Sequence, residues 1–115
     1  MTTLGIAETQ AKFDEITAPW LNELGMTIEA LDKGFVRIRT PFDRRIAHAR
    51  GIVSGQSLLA VADASMVVAV WSWHDRFVPV ATISLNMNFM RPAHGAVVTE
   101  TRLQRVGRRV IFGEA

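Results

Sequence analysis

Apolar positions recur along this chain with two different periods. From Glu8 to Glu23 the residues Phe13, Ile16, Trp20 and Leu21 fall near helical spacing. Pro19 interrupts that run, so a short helix followed by a turn is expected. Gly25 opens a strand through Ala30, and Asp32-Lys33-Gly34 reads as a hairpin turn. Phe35 to Thr40 alternates apolar residues with Arg37 and Arg39, the pattern of a strand with one wet face. Phe42 to Val53 has no clear period and reads as a loop. Ser54 is a good N-cap because its hydroxyl can accept from an early helical N–H, and the helix it starts runs to about Ser72. That helix is apolar on nearly all sides, which predicts burial over most of its circumference. Val78 to Met90 carries the clearest strand pattern. Ala81, Ile83, Leu85, Met87 and Phe89 point one way, and Thr82, Ser84, Asn86 and Asn88 the other. Arg91 to Gly95 is a turn, Ala96 to Val106 a strand, and Arg109 to Ala115 begins a further strand after Gly107. Antiparallel strands wrapped on one buried helix make an α+β fold. No linker, repeat or low-complexity tract divides residues 1–115, so a single domain is expected.

Composition narrows the function classes. A chain of 115 residues with 49% hydrophobic and 21% charged residues is globular, not disordered. Its core is modest, and a partner subunit would help it. There is no cysteine, which excludes disulfides, thiolate catalysis and Cys-based metal sites. His48, His74 and His94 are scattered, with no metal-ligand spacing. Ser54-Gly55-Gln56-Ser57 is not a nucleophile elbow, and no phosphate-binding Gly-rich loop is present. Met1-Thr2-Thr3-Leu4 lacks the start of a secretory signal. The apolar stretch from Gly51 to Trp73 raises the question of a membrane span, but it holds Asp63, which would cost about 2.5–3.5 kcal/mol at a bilayer centre. A core helix and a cytoplasmic location are therefore expected. The net charge is +2, with acids concentrated early and Arg91, Arg102, Arg105, Arg108 and Arg109 late. Those arginines suit a phosphate-bearing ligand or, equally, the solvated face of a strand pair. They are not interleaved with exposed aromatics, so nucleic-acid binding is not expected.

Two residues stand out chemically. Asp63 is the only ionisable side chain between Arg50 and His74, and it sits mid-helix among apolar neighbours. An aspartate there is a poor helix former and is costly to bury unpaired. It persists either because it faces a substrate or because it holds a backbone group or a neighbouring subunit. Gly55 opens the same helix, where free N–H groups and the positive dipole end favour a developing oxyanion. A glycine needed only for tight packing would look the same. Eight residues separate the two, about 12 Å along a helix. If both act on one carbonyl, they come from two chains whose helices run antiparallel across a two-fold axis.

The segment SGQSLLAVADASM, from Ser54 to Met66, resembles the hotdog signature of the phenylacetate-pathway (PaaI-like) thioesterases. PWLNELGMTIEAL, VATISLNMNFMRPA and GRRVIFGEA agree with the same family, so the resemblance covers almost the whole chain from about Phe13. It implies a hotdog fold, a curved antiparallel sheet around one long central helix, assembled as a homodimer or homotetramer. It implies that Asp63 is the catalytic carboxylate, that the Gly55 N–H polarises the carbonyl, and that Thr82 helps to hold the water or nucleophile. His48 replaces an Asn of the family pattern. Ser54 stands where the family has His, and Gln56 where it has a second Gly; Ser54 can still cap the helix, and Gln56 can offer its amide to a carbonyl. Relatives continue through a further strand, so the resemblance implies a C-terminal strand cut short at Ala115.

These readings converge on an acyl-CoA thioesterase with a site shared between two subunits. Asp63 acts as general base or nucleophile and Gly55 as oxyanion donor, and Ser54, Gln56 and Arg91 contact substrate. No metal or redox cofactor is implied. Arg91 and the Arg102–Arg109 group are candidate contacts for CoA phosphates. The alternative is a hotdog module that binds acyl-CoA or another apolar ligand without hydrolysis. A dehydratase or hydratase ranks last, because the His–Asp or His–Glu pair of that branch is missing.

Overall fold

The computed structural model describes residues 1–115. Helix α1 (Ile6–Ile16) ends before Pro19, as expected, and Pro19 opens the one-turn helix α2 (Pro19–Asn22) where the sequence predicts a turn. Strands β1 (Thr27–Asp32), β2 (Phe35–Thr40), β3 (Val97–Val106) and β4 (Ile111–Glu114) form one antiparallel sheet in the order β1-β2-β3-β4. The long helix α3 (Gly55–His74) lies against that sheet.

Side-chain alternation decides which face of the sheet is covered. In β2, Val36, Ile38 and Thr40 are buried, while Arg37 and Arg39 point away. There Arg37 pairs with Glu100 at 3.0 Å and Arg39 with Glu29 at 2.7 Å. Such half-exposed pairs are worth about 0.2–1 kcal/mol each, whereas burying Val36 and Ile38 contributes about 1.5–3 kcal/mol apiece. The hairpin between β1 and β2 turns on Lys33 and Gly34, with Asp32 opposite Phe35. Gly34 has φ +70°, and a Cβ there would come within 3.0 Å of the Trp73 ring. The β1 edge is closed by Gln10, whose amide donates to Met26 O and accepts from Ile28 N–H.

Helix α3 is apolar all round because two of its faces are covered. Val61, Ala62, Ser65, Val68, Ala69 and Ser72 repeat at helical spacing and are all buried. Two hydroxyls on that stripe tie helix to sheet: Ser65 Oγ meets Thr101 Oγ1 at 2.6 Å, and Ser72 Oγ accepts from Gly34 N–H at 2.9 Å. A second stripe, Ala60, Asp63, Ala64 and Val67, faces a groove beside α1 and α2. By length and composition α3 could cross a membrane, yet it is the core helix of this fold.

One strong expectation fails. Val78–Met90 is extended, but it makes no strand ladder, and neither edge of the sheet pairs with it. Alternation dictates where side chains point in a strand; the ladder itself requires a neighbouring backbone in register. Here the segment runs antiparallel along α3 instead. Val78 O accepts from Trp71 Nε1 at 2.8 Å, Thr82 reaches Asp63, and Phe89 lies against Gly55. The expected apolar side is not covered, for Ile83 is 78% and Phe89 55% exposed. Smaller differences are local. The first strand begins at Thr27, after Gly25 at φ +74°, and ends at Asp32. The loop before α3 holds a 3₁₀ turn (Arg44–Ile46) and an Ala47–Val53 bridge.

Candidate functional site

The start of α3 is built by the cap the sequence predicts. Ser54 Oγ accepts from Ser57 N–H at 3.2 Å. Ser57 Oγ donates to Ile46 O at 3.1 Å, so the 2.7 Å Ser54–Ser57 hydroxyl contact uses the Ser54 proton. Ser54 is thus occupied in holding the helix start. The N–H groups of Gly55 and Gln56 have no protein acceptor, the usual state of a helix's first donors. A Cβ at Gly55 would lie 3.2 Å from the Phe89 ring, a close approach that this exposed ring can relieve by moving a few tenths of an ångström.

Gly55 opens onto a groove of about 380 Å³ together with His48, Leu58, Phe89, Arg91 and Pro92. His48 lies in a tight turn closed by Gly51 N–H donating to His48 O at 2.9 Å. Its Nδ1 accepts from Arg50 N–H at 3.2 Å, which leaves Nε2 to carry the proton of the neutral ring as a donor. Gln56 is exposed on the first turn of α3, outside this lining.

Asp63 and Thr82 form a separate pair. Thr82 Oγ1 donates to Asp63 Oδ1 at 2.5 Å. That leaves Asp63 Oδ2 free to accept from another donor. Asp63 is half-buried and forms part of the wall of a groove of about 250 Å³. Phe13, Trp20 and Leu21 wall it on one side, and Ala60, Ala64 and Val67 on the other. Sequence reasoning missed Trp20, Ala60 and Ala64 as parts of a site. The one signal for them was the four-residue spacing of the alanines beside Asp63.

Within one chain the predicted residues therefore divide into two sets. Asp63, with Thr82 bonded to it, lines the groove at α1–α2, while Gly55, His48 and Arg91 line the other. The late arginines do not gather around Arg91. Arg102 stacks over Phe35 at 4.3 Å on the outer face of the sheet. Leu103 N–H donates to Gly34 O, beside Ser72 and Trp73, so the hairpin that follows with Arg105, Arg108 and Arg109 lies toward the C-terminal end of α3. Arg91 lies by its N-terminal end.

Charged groups elsewhere hold the frame. The Arg45 guanidinium bonded to Asp43 keeps that carboxyl below its ordinary range. Asp75, at φ 58° beyond the end of α3, accepts from Thr2 Oγ1 and Thr3 N–H at 2.6 Å each. Those two bonds, the hydroxyl first, lower its pKa.

Known proteins resemble this chain in sequence and in fold. Residues 50–115 match the Thioesterase superfamily. A Halobacterium salinarum protein named as an esterase is 32% identical over 82% of this chain and 66% of its own length. A second such protein, from Saccharolobus solfataricus, is 28% identical over 78% of this chain and 60% of its own. The chain thus spans about two thirds of the length of the curated relatives it matches. A phenylacetic acid degradation-related protein of Ralstonia eutropha, named as a thioesterase, is 27% identical, with a TM-score of 0.75 over 90% of this chain and 82% of that one. Zebra fish thioesterase superfamily member 2 shares the fold at 15% identity, with a TM-score of 0.82 over 96% of this chain and 83% of that one. The resemblance read from Ser54–Met66 holds, and the sheet around α3 is a hotdog fold. With its helix start, its carboxylate and its last strands all inside the matched residues, the chain belongs to the thioesterase superfamily.

Proposed function

We propose that this protein hydrolyses an acyl-CoA thioester at a site completed by two copies of the chain. The observation that carries this reading is the Thr82–Asp63 hydrogen bond on the wall of an apolar groove. Thr82 orients the carboxylate through Oδ1, and Oδ2 accepts a proton from water as the water oxygen attacks the thioester carbonyl. The C–S bond then breaks, and the proton passes from Asp63 to the departing thiolate. Alternatively, Asp63 attacks the carbonyl itself and the C–S bond breaks to expel the thiolate; water then hydrolyses the resulting anhydride, which restores Asp63, releases the acid and supplies the proton that the thiolate takes up. The oxyanion needs a donor about 2.7–3.1 Å away. Gly55 of the same helix is about 12 Å along the axis from Asp63, so the donor comes from a second copy whose α3 runs antiparallel. His48 and Arg91 of that copy line the same groove as its Gly55 and contact the thioester or the CoA portion, and the Gln56 amide reaches the substrate from the exposed side of that first turn.

The test is thiol release from a panel of acyl-CoAs. Asp63→Asn preserves shape and removes the base, so kcat should fall by about 10²–10⁴ with little change in KM. Undiminished turnover in Asp63→Asn would rule the mechanism out. A second reading, a non-hydrolytic acyl-CoA binding module, is favoured by one observation: the Ser54 hydroxyl is consumed in the cap and offers substrate no free donor. A rise in Tm with acyl-CoA and no thiol release would select that reading.

A further inference from the structure

The groove beside Asp63 is bounded in a way that limits what enters it. Its volume is about 250 Å³. That exceeds the ~150 Å³ cavity that encloses benzene and falls below the ~300–1,000 Å³ of sites for drug-sized ligands. On the benzene proportion it accommodates about ten carbons, not a coenzyme or a long fatty chain. Its polar groups are few. The Thr17 hydroxyl is spent on Phe13 O at 2.5 Å, which leaves the Asp63 carboxylate and the Trp20 indole N–H as the polar side-chain groups free to meet a ligand. No cation lines it, so a second carboxylate on the acyl group would meet the Asp63 carboxylate with no positive charge to offset it. Ala60 and Ala64 stand one helical turn apart on α3 and form one wall. Opposite them is Trp20, 60% exposed at the rim. The turn that carries Trp20 is clamped to α1: Asn22 Nδ2 donates to Asp14 O at 2.9 Å and to Thr17 O at 3.3 Å.

We propose that this groove holds the acyl end of the thioester, and that Ala60, Ala64 and Trp20 restrict it to an uncharged apolar acyl group of about ten carbons or fewer. This rests on the hydrolase reading for its turnover, though not for its binding. The carboxylate on the groove wall places the carbonyl at the mouth and sends the apolar remainder toward Phe13. An extra side chain at Ala64 takes up the deep end, and loss of Trp20 opens the rim.

The experiment ranks acetyl-, butanoyl-, octanoyl-, palmitoyl- and succinyl-CoA twice, once by thiol release and once by the rise in Tm. It compares the wild type, Ala64→Leu, the milder Ala60→Val and Trp20→Ala. The wild type should favour butanoyl and octanoyl and reject palmitoyl and succinyl. Ala64→Leu should disfavour octanoyl relative to butanoyl by about 10–200-fold, the discrimination typical of a methylene in an apolar pocket. Ala60→Val should do so less, and Trp20→Ala should admit palmitoyl. Should Ala64→Leu not fold, Ala60→Val and Trp20→Ala carry the same comparison. Thiol release with one unchanged ranking in all the proteins overturns the size limit and leaves the hydrolase reading standing. No thiol release, but rankings by Tm that move as described, supports the acyl groove and removes the hydrolase reading. A change in sedimentation without any change in ranking means that a second copy fills the groove, and overturns the proposal.

Discussion

Ser65 Oγ donates to Ala62 O at 2.8 Å, so its 2.6 Å contact with Thr101 Oγ1 takes the proton from the threonine. Both residues are fully buried between α3 and β3. Ser65→Ala strands the Thr101 hydroxyl and should cost about 1–3 kcal/mol in urea unfolding, while Ser65→Ala with Thr101→Val should recover most of that loss. Thr82 differs, because it is exposed and packs against little. Thr82→Val removes a hydrogen bond to a carboxylate which, at this exposed position, contributes little to stability. In the proposed mechanism kcat should drop about tenfold or more with Tm hardly changed, and Thr82→Ser should restore it. A Thr82→Val enzyme as fast as wild type would show that Asp63 needs no orienting partner. Asp63 could be picked out in the sequence because a lone charge in an apolar helix is conspicuous. Its partner could not, because Thr82 is one of several polar residues on an alternating segment, and only the crossing angle of that segment selects it.

Among the elements, the N-terminal residues and the end of α3 are fastened together by one carboxylate. Asp75 accepts from Thr2 and Thr3, and α1 begins three residues later at Ile6. Its folded pKa is depressed, so this fastening contributes fully above the ordinary aspartate value of about 3.9. The contribution is lost as pH falls through the lowered value, where the folded state at last takes up the proton. Tm of the wild type should therefore fall across that acid range more than Tm of Asp75→Asn, which lacks the titrating group. Parallel curves for the two proteins would remove Asp75 as the cause. The same element scale explains the strand that did not form. Period-two alternation in Val78–Met90 is a local property, whereas a ladder depends on which backbone lies alongside. Gln10 already occupies the β1 edge, and β4 is only four residues long.

At the level of the whole molecule, two features ask for a second copy: the division of the site residues between two grooves, and the exposed apolar side chains of Val78–Met90. The shared-site proposal has a direct test by complementation. Asp63→Ala removes the carboxylate. Gly55→Pro removes the N–H at the first helical position, where proline is tolerated, and Ser54 at ψ 147° already suits a following proline. Each variant alone should be inactive. Unfolded together and refolded as a mixture, half of the dimers carry one intact site of two, so activity should return to about a quarter of wild type. Activity that stays at zero in a mixture shown to contain mixed dimers would mean that both residues act within one chain.

The sequence by itself determined the α+β architecture, the start of α3 and its Ser54 cap, the Lys33–Gly34 turn, and the isolation of Asp63. These are set by local periodicity, by capping chemistry and by the cost of burying a charge, all of which act over a few residues. Tertiary structure alone decided that Thr82 meets Asp63, that Phe89 covers Gly55, that the late arginines lie away from Arg91, and that Trp20 faces Ala60 and Ala64 across a groove. Each of these depends on how two distant stretches of backbone cross. Crossing is governed by the packing of both surfaces together, which no single window of sequence contains.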